Sequence, residues 1–144
     1  MPPDPERRRA AILVVDDQRD ARDMVAEYLS FRGFTVETAT DGLEALDLAV
    51  RVHPAIILMD LTMPRMDGWE ATRRLKADAR TNHIPVIALS AHSPTDADQR
   101  AQAAGCDDYI AKPCDLDHLA GVLRVLLTQP KRTRRRTDVP RRLH

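Results

Sequence analysis

The alternation of short apolar runs with segments of helical periodicity is the feature that most constrains how this chain can fold. Strands that are apolar on both faces are typical of parallel sheets covered by helices on each side. Right-handed crossovers between such strands produce a doubly wound α/β sandwich. The five predicted strands span residues 10–15, 34–39, 55–60, 84–91 and 108–111, with the sequences AAILVV, FTVETA, AIILMD, IPVIALSA and DYIA.

Five segments with helical periodicity separate and follow these runs. In the first segment, apolar residues recur with the spacing of one helix face. Glycine adopts the left-handed conformation at little cost, and Gly33 is therefore the predicted end of this helix. The residues of the predicted inner face are Ala21, Met24, Val25, Tyr28 and Leu29.

Three of the other four predicted helices carry capping signals. Asp41, followed three residues later by Glu44, resembles the capping arrangement that opens a helix. Ser93 and Pro94 suit the cap and first position of another helix that ends at Gly105. The predicted helical residues are Leu43, Leu46 and Val50 for the second helix, Trp69, Thr72 and Leu75 for the third, residues 93–105 for the fourth, and Leu116, Leu119, Leu123 and Leu126, capped by Asp115, for the fifth.

Length and charge predict one domain between two polar ends. A chain of 144 residues is enough for a single well-formed core. We assign residues 1–9 to a flexible N-terminal segment, 10–129 to the domain and 130–144 to a basic, disordered tail. From Lys131 onward there are seven Lys or Arg against one acid, a net charge of +6, whereas residues 10–129 carry twelve basic and nineteen acidic side chains, a net charge of −7.

The sequence lacks the signals of a membrane or secreted protein. No apolar run is long enough to cross a bilayer, and the N-terminal residues MPPDPERRRA lack the apolar centre of a signal peptide. We therefore predict a cytoplasmic location without a transmembrane segment.

Polar and charged residues stand where the predicted strands end. Asp16 and Asp17 follow the first strand, Asp60 ends the third, Ser90 lies at the end of the fourth, and Lys112 follows the fifth. The carboxyl ends of parallel strands share one edge of a sheet, and ligands bind there near the point where strand order reverses. We therefore expect three carboxylates, a hydroxyl and an ammonium group to converge.

This set of groups predicts phosphoryl-transfer chemistry. Crowded carboxylates repel one another unless a cation neutralises them, and Mg²⁺ suits a site with few protein oxygens. Lys112 supplies a second positive charge to a phosphate, and Ser90 supplies a hydroxyl donor. An aspartate can itself be the nucleophile and form an aspartyl phosphate. Asp60 fits that role, with Asp16 and Asp17 holding the metal from the neighbouring strand.

Taken together, these motifs resemble the receiver domain of two-component response regulators, of the chemotaxis type. They are Asp16-Asp17, Asp60 within MDLTMPRMDG, Ser90-Ala91 and Lys112-Pro113, in this order and at these separations. The resemblance covers about Ala11 to Leu127. It implies a flavodoxin-like fold with five parallel strands in the order 2-1-3-4-5.

The resemblance also implies the roles of the acidic residues. Asp60 would accept a phosphoryl group from a phosphohistidine on a sensor histidine kinase or phosphotransfer protein. Asp17 and Asp60 would bind Mg²⁺ through their side chains, and Thr62 would bind it through the backbone carbonyl. Asp16 would act on the metal largely through water. The protein would be a phosphoacceptor switch that assists its own phosphorylation and dephosphorylation, rather than a conventional enzyme.

Three further residues would carry the signal outward. Lys112 would pair with Asp60 and later with the phosphoryl oxygens. Ser90 would move toward the phosphate, and Tyr109 would swing inward behind it. The surface built from the fourth predicted helix (93–105), the fifth strand and the fifth helix would then bind a downstream protein or support a phosphorelay.

The sequence leaves alternatives open. A metal-dependent aspartyl-phosphate phosphatase of the haloacid dehalogenase type also uses a carboxylate nucleophile, but it normally has a second Asp where Thr62 stands. The chain is predicted to be a single-domain regulator, and a receiver fragment of a longer response regulator is the alternative. The basic tail is either a solvated end or a contact for nucleic acid, an acidic protein surface or an anionic membrane.

Overall fold

The fold is built around one parallel sheet of five strands. The structure is a computed structural model, and it describes residues 11–60, 68–90, 105–111 and 115–128. The strands are β1 (Ala11–Val15), β2 (Thr35–Ala39), β3 (Ile56–Asp60), β4 (Val86–Ser90) and β5 (Asp108–Ala111). Their order is β2-β1-β3-β4-β5, and every neighbouring pair is parallel. This arrangement confirms the predicted fold and strand order.

Helices cover both faces of the sheet. The described helices are α1 (Arg19–Phe31), α2 (Gly42–Val52), α3 (Gly68–Ala77) and α4 (Leu116–Thr128). They correspond to the first, second, third and fifth predicted helices. The helix predicted over residues 93–105 lies almost entirely outside the described residues, as do the predicted N-terminal segment and basic tail.

The core consists of two apolar layers, because successive residues of each strand point to opposite faces. Leu13, Val15 and Ile57 pack in the layer that contains α2 and α3. Ile12 and Val14 pack in the layer that contains α1 and α4. All five residues of β3 are buried, so this strand is anchored from both sides. Full burial of each large aliphatic side chain contributes about 1.5–3 kcal/mol.

Two apolar residues of the predicted helical patterns are exposed, one on the predicted inner face of α1 and one in α2. Met24 in α1 is 56% exposed and Leu43 in α2 is 49% exposed. Helix α1 buries Val25 and Leu29, and Met24 lies about 140° around the helix from Leu29. Helix α2 contacts the sheet through small residues such as Ala45, and Leu43 lies about 160° from that position. In both helices the buried stripe is narrower than the apolar pattern predicted.

The predicted caps at Asp41 and Asp115 are present, whereas the predicted cap at Ser93 lies outside the described residues. The carboxylate of Asp41 accepts a hydrogen bond from the Glu44 N–H at 2.9 Å, and the Glu44 side chain accepts one from the Thr40 N–H at 2.7 Å. Asp115 accepts a hydrogen bond from the Asp117 N–H at 2.9 Å. The bonds to Asp41 and Asp115 satisfy backbone donors that the first helical turn would otherwise leave without a partner, and the bond from Thr40 ties the residue before the cap to the helix.

A clamp around Lys76 joins α3 to the segments that lead into β4 and β5. Lys76 Nζ donates to the carbonyl oxygen of Ile84 at 2.7 Å and to Asp107 Oδ2 at 2.8 Å. The same carboxylate oxygen accepts the Val86 N–H at 2.7 Å. Both charged side chains are mostly shielded, with exposures of 20% for Lys76 and 24% for Asp107. The clamp therefore fixes the amino-terminal ends of β4 and β5.

Replacing Lys76 with methionine tests this clamp. Because the change removes the ammonium group from a shielded carboxylate, we expect Lys76→Met to lower the free energy of unfolding by about 1–3 kcal/mol. Arg74→Met is the matched control, since Arg74 lies on the same helix in an exposed pair with Glu70. It should change stability by at most about 0.5 kcal/mol. Equal losses in urea-induced unfolding of the two variants would contradict the role of the clamp.

Candidate functional site

The register of β1 and β3 brings two aspartates to the same edge of the sheet. Val15, the last residue of β1, pairs with Met59 of β3, and each is followed directly by an aspartate, Asp16 and Asp60. Strand β1 has β2 as its neighbour on one side and β3 on the other, so the direction in which strands are added to the sheet reverses between β1 and β3. The two aspartates therefore lie at the switch point of strand order, where open α/β sheets bind ligands.

Three carboxylates converge at this point. Asp16, Asp17 and Asp60 each have a carboxylate oxygen within 4.8 Å of a carboxylate oxygen of the other two. Asp16 and Asp60 are each only 4% exposed, whereas Asp17 is more open to solvent. Across the described part of the chain, no other set of three or more His, Cys, Asp or Glu side chains meets the same criterion.

The donor set and its spacing fit a hard divalent cation. Mg²⁺ binds oxygen ligands at about 2.0–2.1 Å, so two ligands on opposite sides of one ion lie about 4 Å apart. The separations within this cluster are compatible with that span after small side-chain adjustments. Neutralising the mutual repulsion of the carboxylates would favour binding. Asp17 and Asp60, with Asp16 beside them, are thus the described residues able to hold such an ion.

Asp16 is held in place by its own main chain as well as by its side chain. Its N–H donates to the carbonyl oxygen of Ala39 at 3.1 Å, which ties it to the end of β2. Its carboxylate Oδ1 accepts the Gln18 N–H at 2.9 Å. Its carbonyl oxygen accepts a hydrogen bond from Arg22 Nη1 at 3.1 Å. These three contacts fix the chain at the point where β1 leads into α1.

The structure places the backbones of two other predicted site residues. Ser90 is the last residue of β4 and follows Leu89, which pairs with Asp60. Tyr109 lies in β5 and pairs with Ala88. Thr62 and Lys112 lie outside the described residues, although Lys112 directly follows the last residue of β5. Ser90 therefore reaches the same edge of the sheet as the carboxylates.

Arg22 is a site residue that the sequence analysis did not identify. It lies in the first turns of α1, and its side chain is only 14% exposed. A signal for it was present, since Arg22 stands next to Ala21 and Val25 on the predicted inner face of a helix that starts at the acidic residues. A basic residue at such a position points back toward the strand end.

Comparison with known proteins identifies the family. Residues 12–124 match the response regulator receiver domain. The chain belongs to this family. It is 38% identical over 120 residues to the response regulator MprA of Mycobacterium leprae (strain TN), a match covering 83% of this chain and 52% of that protein. MprA of Mycobacterium sp. (strain KMS) is 40% identical over 116 residues, covering 81% and 50%. The chain spans about half the length of these curated relatives.

Solved structures agree with this assignment. The chemotaxis protein CheY4 of Vibrio cholerae has a TM-score of 0.76 and 31% identity, covering 81% of this chain and 98% of CheY4. The signal receiver domain of a histidine kinase from Syntrophus aciditrophicus has a TM-score of 0.79 and 34% identity, covering 87% and 95%. The predicted membership in the receiver family is thus confirmed.

None of the helices in the described segments has the length and apolar character needed to span a bilayer.

Removing one carboxylate from the receiver site should reveal its electrostatic cost. In the presence of a chelator, we expect Asp60→Asn to raise the free energy of unfolding by about 1–2 kcal/mol, because one of three crowded charges is lost. We expect added Mg²⁺ to raise the melting temperature of the wild type and to have little effect on this variant.

Glu37→Gln is the control for this measurement, because Glu37 is an exposed acid on β2. It should leave both the melting temperature in chelator and the Mg²⁺-dependent increase unchanged. Destabilisation of Asp60→Asn in chelator, or an undiminished response of that variant to Mg²⁺, would contradict the electrostatic account.

Proposed function

We propose that this receiver domain is a Mg²⁺-dependent phosphoacceptor switch in which Asp60 takes a phosphoryl group from a phosphohistidine. The observation that carries the proposal is the convergence of Asp16, Asp17 and Asp60 at the switch point of the sheet. Membership in the receiver family supports a sensor histidine kinase or phosphotransfer protein as the donor. The chemistry requires little beyond an in-line nucleophile and neutralisation of the phosphoryl charge.

In the proposed transfer, a carboxylate oxygen of Asp60 attacks the phosphorus atom in line with the bond to the histidine nitrogen. The oxygen–phosphorus bond forms as the phosphorus–nitrogen bond breaks. The imidazole, already protonated on its other ring nitrogen, takes the bonding electron pair and leaves as a neutral group. Asp17 and Asp60 would hold Mg²⁺ through their side chains, Thr62 through its carbonyl and Asp16 through water. The bound metal would supply positive charge to the phosphoryl oxygens.

The proposed switch passes through Lys112, Ser90 and Tyr109 to the outer surface. Lys112 would pair with the phosphoryl oxygens, Ser90 would donate its hydroxyl, and Tyr109 would fill the space behind Ser90. The end of β4 lies beside the end of β3, which supports a path from Asp60 through Ser90. On α4, Val125 is 51% exposed and suits contact with a partner. The helix predicted at residues 93–105 would complete this surface.

We propose that the output is binding of a separate protein or relay of the phosphoryl group. The curated relatives are about twice as long as the matched segment, so output through an attached domain is the alternative. The haloacid dehalogenase phosphatase is disfavoured by the family match.

The basic segment from 130 to 144 is proposed to contact nucleic acid or an acidic surface, and a steep salt dependence of partner binding would support that role.

Acetyl phosphate tests the phosphoacceptor directly. With Mg²⁺ present, we expect the wild type to gain the mass of one phosphoryl group, because acetyl phosphate supplies an activated donor without a kinase. Asp60→Asn should show no gain, since the nucleophilic carboxylate is gone. Asp78→Asn is the matched control, because Asp78 lies in the turn after α3 and pairs with Arg80. Intact-mass spectrometry that finds equal gains in wild type and Asp60→Asn would defeat the assignment.

Replacing Lys112 should separate phosphorylation from switching. We expect Lys112→Ala to remain folded and to accept the phosphoryl group, while losing the change at α4 that prepares partner binding. Amide chemical shifts along α4, followed by NMR before and after phosphorylation, measure that change. Lys131→Ala in the basic segment is the control and should behave like the wild type. Full shifts along α4 in phosphorylated Lys112→Ala would show that Lys112 does not couple the two events.

A further inference from the structure

Arg22 is a shielded guanidinium beside the acidic cluster. Its Nη1 donates to the carbonyl oxygen of Asp16 at 3.1 Å, and its Nε lies 3.9 Å from Asp23 Oδ1. Its side chain is 14% exposed, whereas that of Arg19 in the same helix is 84% exposed. A guanidinium is usually solvated, and shielding it is favourable only where it keeps hydrogen-bonding partners. Arg22 therefore has a defined position that Arg19 lacks.

The carbonyl that Arg22 contacts belongs to the peptide joining Asp16 to Asp17. Because the peptide is planar, fixing its orientation restricts the backbone angle ψ of Asp16 and the backbone angle φ of Asp17. The N–H of Asp16 is already tied to Ala39 at 3.1 Å. With both the N–H and the carbonyl of Asp16 engaged, the directions in which the two neighbouring side chains leave the backbone are set. Arg22 thus constrains the backbone from which two of the three clustered carboxylates extend.

We propose that Arg22 is a positioning residue for the divalent cation at Asp16, Asp17 and Asp60. It acts by holding the Asp16–Asp17 peptide and makes no contact with the ion itself. The inference rests on the proposed function, because it assumes that the cluster binds Mg²⁺. Residues that orient metal ligands from the next layer of contacts typically change metal affinity 10–100-fold when they are replaced.

Removing Arg22 has two opposite consequences for a cation. Loss of the positive charge reduces repulsion and favours Mg²⁺, whereas loss of the hydrogen bond frees the peptide and disfavours it. Charge-assisted hydrogen bonds to a fixed acceptor are strong, and mobile ions screen the repulsion. We therefore expect the loss of positioning to dominate. A lysine at this position keeps the positive charge and can still donate a hydrogen bond, so it separates the two consequences.

Isothermal titration of Mg²⁺ at fixed ionic strength tests the proposal on the full chain. Arg22→Met should raise the Kd for Mg²⁺ by at least about tenfold. Arg22→Lys should bind within about threefold of the wild type, because the ammonium can still donate to the Asp16 carbonyl. Arg19→Met is the matched control and should leave the Kd unchanged, since Arg19 contacts Asp23 rather than Asp16. The melting temperature of each variant in chelator reports separately on the fold.

The outcomes distinguish this inference from the proposed function. If the wild type does not bind Mg²⁺, the metal site itself is wrong. If the wild type binds and Arg22→Met binds as tightly or more tightly, the positioning role is overturned. Equal weakening in Arg22→Met and Arg22→Lys also overturns it, because restoring a charged donor should restore affinity. If Arg22→Met does not fold, Arg22→Gln replaces it, since its amide is too short to reach the Asp16 carbonyl.

Discussion

The site depends on the pairing of β1 with β3. These strands are parallel, fully buried and in a register that ends with Val15 beside Met59, so the next residue of each, Asp16 and Asp60, reaches the same point on the sheet. The close-packed layers on both sides resist a change of register, because a shift of one residue would move each side chain into the opposite layer and disrupt the packing of both. The proximity of the carboxylates is thus enforced by the core.

The crowding of three carboxylates at this position is unfavourable in itself, and the proposed divalent cation would relieve it. Buried carboxylates normally occur with a compensating partner, so two acids that are each only 4% exposed, Asp16 and Asp60, point to a functional site at the ends of these strands. The hydrogen bonds around Asp16 keep its main chain in place despite the repulsion. The Lys76 clamp lies at the opposite edge of the sheet and secures β4 and β5 there.

Much of this was accessible from the sequence, because apolar runs, caps and strand-end acids are local patterns. They predicted the five strands and the meeting of Asp16, Asp17 and Asp60. The exposure of Met24 and Leu43 was missed, since periodicity does not show how narrow the contact with the sheet will be. Contacts between distant segments were missed as well. Tyr28 donates to Asp117, and Lys76 pairs with Asp107, and no sequence pattern specifies which of many charged residues meet across such separations.

The ends of β1 and β3 are proposed to form a site for one divalent ion. Anomalous scattering from crystals grown with Mn²⁺ tests it most directly, because Mn²⁺ accepts the same oxygen ligands as Mg²⁺ and identifies its own position. The account predicts one peak bonded to carboxylate oxygens of Asp17 and Asp60, with Asp16 adjacent. Well-ordered carboxylates without a peak between them, or Mn²⁺ bound by other residues only, would contradict it.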